Sequence, residues 1–225
     1  MELQPVALYR GALGSKFGIP RQSGLVPSLK GRIVFEPAFR NRHALRGLDG
    51  FDRLWLIWGF SANRPAEGPF QPMVRPPRLG GNATVGVWAS RSPFRPNSLG
   101  LSCVELEGID GMDLLVRGAD LMDGTPVFDV KPYVPYADCH PEASGGFTAE
   151  TVWQGLEVDF PPELLEKVPG EKREALLGVL AMDPRPAYQE DPDRVYGFRF
   201  AGLELRFSVR EGRLRVLEAE QTGSE

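Results

Sequence analysis

Through the first 140 residues, apolar positions alternate with polar ones in short stretches that reset at glycines and prolines. Pro5–Arg10 and Gly31–Glu36 are short β-rich runs. Leu54–Phe60 is continuously apolar, which predicts a strand buried on both faces. Val85, Val87 and Ala89 alternate with Thr84, Gly86 and Ser90, predicting a strand over Thr84–Ser90. Val104 and Leu106 alternate with Glu105 and Glu107, and Leu114–Gly118 and Val127–Val130 follow. One short helix is predicted, at about Asn41–Leu48. Many short strands joined irregularly predict a barrel or sandwich. Ser61–Gly81 and Ser90–Asn97 are long or proline-rich connections, the kind that carries function more often than strands do.

The pattern changes after Tyr133. Ala137–Gly146 (ADCHPEASGG) has the composition of a linker. Pro161–Met182 predicts helical turns with Leu176, Val179 and Leu180 on one face and a break at Pro169. A meander follows: Leu203, Leu205, Phe207 and Val209 point one way, Glu204, Arg206, Ser208 and Arg210 the other, and Glu211-Gly212 turns the chain toward Leu214 and Val216. The expected organisation is a mainly β domain over 1–138 and a small α+β domain over 147–225.

Charge changes this picture. The 225 residues carry a net charge of −4, yet residues 1–100 hold 14 Lys+Arg against 5 Asp+Glu, and residues 101–225 hold 12 against 25. Val74–Asn97 contains four arginines and no acid. A basic half is what a phosphate backbone requires, although an arginine-rich solvated surface would have the same composition. No apolar run approaches the roughly 20 residues of a membrane span. The N-terminus lacks the basic and apolar regions of a secretory signal, and two cysteines cannot form a disulfide framework, so a cytoplasmic chain with reduced thiols is expected.

The familiar chemical signatures are missing: no Walker loop, no HExxH, no Cys-x-x-Cys, no G-x-S-x-G and no G-x-G-x-x-G after a strand. Cys139-His140 is an adjacent pair without partners at ligand spacing, so no metal is expected. What stands out instead is a set of dense irregular segments: FGIPRQSGLVP, VRPPRLGG, SRSPFRPNSLG, DLMDGTPVFDVKPY and DPRPAY. Proline fixes φ and glycine permits positive φ, so such segments specify rigid, non-repetitive backbone suited to presenting polar groups to a ligand; any one of them alone reads equally as a tight barrel turn, Asp123-Gly124-Thr125-Pro126 as a hairpin loop.

These segments carry a resemblance. FGIPRQSGLV, FDRLWLIWGF, VRPPRLGGNATVGVWASRSPFRPNSLGLSCVEL, ADLMDGTPVFDVKPYVPYA and VLAMDPRPAY are similar, in order and spacing, to the TsaA-like (TrmO) family. The resemblance implies a single-sheeted β-barrel, a homodimer, S-adenosylmethionine as methyl donor, and methylation of N6 of threonylcarbamoyladenosine beside the anticodon of a tRNA. It places the cofactor against Pro20, Arg21 and Gln22, against Arg91 and Leu101, and against Leu121, Met122, Asp123 and Gly124. Ser61 and Ala62 align with a further contact pair that is His-Gln in some relatives, so backbone contact is expected there.

The residue types suit those roles. Arg21 or Arg91 would bind the cofactor carboxylate, Asp123 its ammonium or ribose hydroxyls, and Leu101, Leu121 and Met122 would give apolar walls or simply barrel core. Adenine N6 is a poor nucleophile, so a carboxylate accepting its proton would help: Asp129 is the first candidate and Asp120 the second, with a structural pairing of the carboxylate to Lys131 or an arginine as the alternative. One of Arg75, Arg78 and Arg95 would meet the threonyl carboxylate while the others reach anticodon-loop phosphates; Trp88, Phe94 and Tyr133 are candidate stacking platforms, although Trp88 is expected first as aromatic core. Two other readings are a non-catalytic β-barrel RNA-binding module and a methyltransferase for another small substrate.

Overall fold

Inward positions that are apolar or small on every strand close the first half of the chain into a barrel. The computed structural model describes residues 2–63, 69–76, 84–149, 155–185 and 191–222. In chain order the strands are β1 (Ala7–Gly11), β2 (Lys30–Phe35), β3 (Arg53–Gly59), β4 (Met73–Val74), β5 (Val85–Gly86), β6 (Leu99–Asp110), β7 (Asp113–Arg117) and β8 (Pro126–Pro132). Six of them form a closed barrel in the order β1-β2-β7-β6-β3-β8, every pairing antiparallel, while β4 and β5 make a separate ribbon. The barrel interior holds Ala7, Tyr9, Ile33, Leu54, Leu56, Trp58, Val104, Leu114, Val116 and Val127. Trp58 lies opposite Gly100, and any Cβ at Gly100 would run into the indole.

Three local expectations are corrected. β3 is buried on one face only: Leu54, Leu56 and Trp58 point inward, while Trp55 and Ile57 are half-buried on the outside. Asn41–Leu48 forms 3-10 turns at Arg42–Leu45 and Leu48–Gly50, because Gly47 between them takes a left-handed φ of 84°. Thr84–Ser90 is a strand only at Val85–Gly86 and continues as a 3-10 turn over Val87–Ala89. There the Val87 carbonyl that a strand would offer a neighbour accepts from Ser90 Oγ at 2.9 Å and from Arg95 at 3.1 Å.

After α1 (Pro135–Asp138) the tail contains β9 (Glu157–Asp159), α2 (Pro162–Leu165), α3 (Gly170–Ala181), β10 (Tyr196–Phe200), β11 (Leu203–Arg210) and β12 (Arg213–Gln221). Its sheet runs β10-β11-β12-β9, with the last pair parallel. Glu211 and Gly212 both have positive φ, the geometry a two-residue hairpin needs to match strand twist. Leu176, Val179 and Leu180 of α3 pack on Phe198, Phe200, Leu205 and Phe207.

Leu13, Val26 and Leu29, from the connection between β1 and β2, belong to this tail core and not to the barrel interior. A Cβ at Gly178 of α3 would meet Val26 Cγ1 at 2.7 Å, so glycine lets the helix approach that closely. The other flank of the same connection is bonded to the barrel: Gly24 N–H donates to Gly118 O, and Gly118 N–H to Leu29 O, each at 2.8 Å. The connection is therefore clamped between the two cores.

Candidate functional site

The clamped connection delivers Pro20, Arg21 and Gln22 to the barrel end where β3 and β7 finish and β6 and β8 begin. Gln22 Oε1 accepts from the Arg91 guanidinium at 2.5 Å, joining the first irregular segment to SRSPFRPN. Ser23 Oγ accepts from the Cys103 N–H at 3.2 Å, pinning the same segment to β6. Ser61 and Ala62, both exposed, leave β3 at this end, where Phe60 N–H donates to Ser98 O at 2.9 Å. The 121–124 turn also closes here: Asp123 N–H donates to Leu13 O, Gly124 N–H to Tyr9 O, and Thr125 N–H to Met122 O. Gly124 has φ 79°, which the turn requires and a side chain would resist.

Beneath these loops runs a polar chain that ends on Asp120, the second candidate proton acceptor, and whose other members, Trp58 and Ser102, were not expected from the sequence. Trp58 Nε1–H donates to Ser102 Oγ at 2.9 Å, and Ser102 Oγ–H donates to Asp120 Oδ1 at 2.5 Å. Burial pushes the Asp120 carboxyl above the usual carboxylate range, partly offset by its hydrogen bonds from Ser102, its own N–H and the Ser23 N–H, and by the Arg91 charge. Asp120 thus ties the Gln22 segment, β6 and Arg91 together. The available signal was Ser102, a polar residue in the inward phase of β6 between Gly100 and Val104. Asp123 is similarly engaged: Oδ1 accepts from Gly11 N–H at 3.0 Å and Oδ2 stands 3.5 Å from Arg10.

The apolar residues divide. Leu121 is 1% exposed and its side chain is barrel core, so only its backbone is offered to a ligand. Leu101 is 52% exposed on the outer face of β6, available as a wall. Asp129 shares that outer face, in the row Leu101–Ile57–Asp129 across three strands. Its Oδ1 accepts from the Val130 N–H and its Oδ2 pairs with Lys131 at 2.9 Å. Tyr133 stands at the opposite end of β3, where its N–H donates to Arg53 O and its ring lies 5.8 Å from that of Trp55, so it does not join the loop cluster.

Arg95 is committed to its own loop, donating to Val87 O at 3.1 Å and Ser90 O at 2.7 Å. Arg75 is exposed beyond β4. Arg78 and residues 186–188 of DPRPAY lie outside the described residues. Asp183 and Arg185 of that motif form a two-bond pair, 2.8 Å at each contact, beside a cavity of about 190 Å³ that is also lined by Lys16, Phe17 and Arg21. The tail therefore reaches the side of the molecule that carries Arg21. Among the described residues no cluster of three metal-ligating side chains occurs, and no helix is long and apolar enough to cross a membrane.

The donor set fits S-adenosylmethionine chemically. Arg91 offers guanidinium donors beyond the one used by Gln22, the Met122–Gly124 turn presents backbone at close range, and Leu101 gives an exposed apolar surface. A closed barrel that gathers rigid loops at one end is a different solution from the doubly wound nucleotide-binding sheet, with its glycine-rich strand–helix turn.

The chain belongs to the TrmO family: the tRNA-methyltransferase O N-terminal domain matches residues 9–139 and the TrmO C-terminal domain residues 154–222. It is 37% identical over 97% of both chains to an Escherichia coli protein named tRNA (adenine(37)-N6)-methyltransferase. An Eikenella corrodens protein of the same name is 44% identical over 75% of this chain and 96% of its own. A Pseudomonas aeruginosa protein whose name describes an S-adenosylmethionine-dependent methyltransferase is 39% identical over 96% of each. The crystal structure of TrmO from Pseudomonas aeruginosa superposes with a TM-score of 0.76 at 32% identity, covering 97% of this chain and 98% of that one.

Proposed function

We propose that this chain is an S-adenosylmethionine-dependent methyltransferase acting on N6 of the adenosine at tRNA position 37, with threonylcarbamoyladenosine as the acceptor. The observation that carries the reading is the convergence of Gln22, Arg91, Asp120 and the 121–124 turn at one barrel end, in a chain matched along both family domains. When bound, S-adenosylmethionine supplies an electrophilic methyl group on a sulfonium centre. The chain's own residues do the positioning: Arg21 and Arg91 hold the carboxylate end, the Met122–Gly124 backbone and Ser61-Ala62 line the rest, and Leu101 excludes water.

Asp129 is assigned to accept the N6 proton. Its pairing with Lys131 is half-exposed and correspondingly weak, so an amino group from the substrate competes with it. Asp120 acts as a positioning residue beneath the loops. Arg75, Arg78 and the surrounding acid-free stretch attract the anticodon loop, and the threonyl carboxylate pairs with one of these arginines. The enzyme works in the cytoplasm as a homodimer. It needs no metal.

Transfer of labelled methyl from S-adenosylmethionine to modified tRNA, followed by mass spectrometry of position-specific fragments, tests the reading. Methyl at position 37, formed equally well with EDTA present, is the expected result. Label elsewhere, or none, refutes it. Asp129→Asn should lower kcat with little change in cofactor affinity, and an unchanged kcat removes Asp129 from the chemistry.

A further inference from the structure

In the turn that leads into Arg91, Trp88 stacks on Phe70 with ring centroids 5.8 Å apart and planes inclined by 26°. Phe70 is 52% exposed and Trp88 66% exposed, so neither ring is spent on the barrel core. The Arg95 guanidinium stands 5.2 Å from the Trp88 ring and is itself fixed by the Val87 and Ser90 carbonyls at either side of that residue. Ser90 Oγ and Pro72 O close the same turn, through the Val87 carbonyl and N–H respectively. Trp88 is therefore presented on a backbone held from several directions. Phe94, in the same segment, is 57% exposed.

Charge selects the occupant. The Val74–Asn97 stretch that carries Trp88 contains no acid and four arginines, and one of them, Arg95, stands over the ring, so the platform suits a polyanion. Rigid exposed aromatics beside cations are how unpaired nucleobases are held, because every base has a π-face while its phosphates need only positive charge. An apolar protein partner would gain nothing from the missing carboxylates.

We propose that the Phe70–Trp88 pair receives an unpaired nucleobase of the anticodon loop flanking the methylated adenosine, and so sets which nucleotide reaches the loop cluster. This rests on the tRNA methyltransferase reading above and adds positioning residues to it.

Steady-state methyl transfer to modified tRNA, measured for the full-length protein and for Trp88→Ala, Phe70→Ala and Trp88→Phe, tests the proposal. Each alanine variant should raise KM for tRNA by on the order of tenfold, from loss of one base stack, and Trp88→Phe should restore most of it. Cofactor affinity and the salt slope of tRNA binding should not move, since no phosphate contact is removed. Indole fluorescence should be quenched by an anticodon stem-loop in the wild type and much less in Trp88→Phe. An unchanged KM in Trp88→Ala, with the wild type active, overturns the platform and leaves the methyltransferase reading standing. A wild type inactive on modified tRNA overturns that reading instead. A change of oligomeric state in Trp88→Ala with KM unaltered assigns the rings to a protein interface and also overturns the proposal.

Discussion

The tail sheet and the loop end of the barrel are built from the same kind of strand but use it oppositely. In the tail, β10, β11 and β12 alternate buried and exposed residues almost without interruption, and two-residue turns at Ala201-Gly202 and Glu211-Gly212 join them. At the barrel end, the strands are separated by segments in which arginine, proline and glycine hold the backbone away from repetition, and side chains such as Asp120, Asp123, Ser90 and Arg95 bind the peptide groups that neighbouring strands would otherwise pair. Regular backbone spends its N–H and C=O groups on itself. Only irregular backbone, fixed from outside, has groups left to aim at a ligand. The 12–29 connection links the two regions, since its apolar residues lie in one core and its polar ones in the other region's site.

The comparison breaks if the tail proves independent of the site. Leu176→Ala should destabilise the fold by about 2–5 kcal/mol through the cavity it leaves. Because Val26 and Leu29 share that core, it should also weaken cofactor binding. Chemical denaturation and calorimetry on the same variant check both effects, and a destabilised protein with wild-type cofactor affinity would uncouple the regions. Arg91→Ala tests the opposite case. Arg91 is exposed, so Tm should barely move, while loss of a charge-assisted contact should raise the cofactor Kd by on the order of ten- to a hundredfold.

Two smaller effects sharpen the contrast. Arg75→Ala should reduce the slope of log K against log salt for tRNA by about 1 and leave cofactor affinity alone, as measured by filter binding across a salt series. Asp120 gives a pH signature. Its carboxyl titrates above the usual range when folded, so the folded state holds the proton more tightly than the unfolded chain does. That contribution to stability is complete below the ordinary carboxylate pKa and is lost as pH rises through the raised one. Asp120→Asn should remove this part of the Tm–pH profile, and an unaltered profile would place the carboxyl in water.

What the sequence disclosed follows the same division. Leu203–Val209 and the Glu211-Gly212 turn were legible because period-two alternation and turn chemistry are local properties. The pairing of Gln22 with Arg91 and the Trp58–Ser102–Asp120 chain were not, because hydrogen bonds across 69 and 44 residues leave no periodic trace. Thr84–Ser90 alternates like a strand, yet Arg95, five residues beyond, captures its carbonyls. The borrowing of Leu13, Val26 and Leu29 by the tail was invisible for a related reason: an apolar residue in a loop does not announce which core it joins.

The proposed acceptor carries a carboxylate next to the reacting amine, and in the proposed complex an arginine of the acid-free Val74–Asn97 stretch pairs with it. The most direct measurement is kcat/KM for methyl transfer to one tRNA prepared with and without the threonylcarbamoyl group, at saturating S-adenosylmethionine. Removing the carboxylate deletes a charge-assisted contact worth about 1.5–3 kcal/mol, so the unmodified transcript should be slower by roughly ten- to a hundredfold. Equal rates on the two would contradict the account.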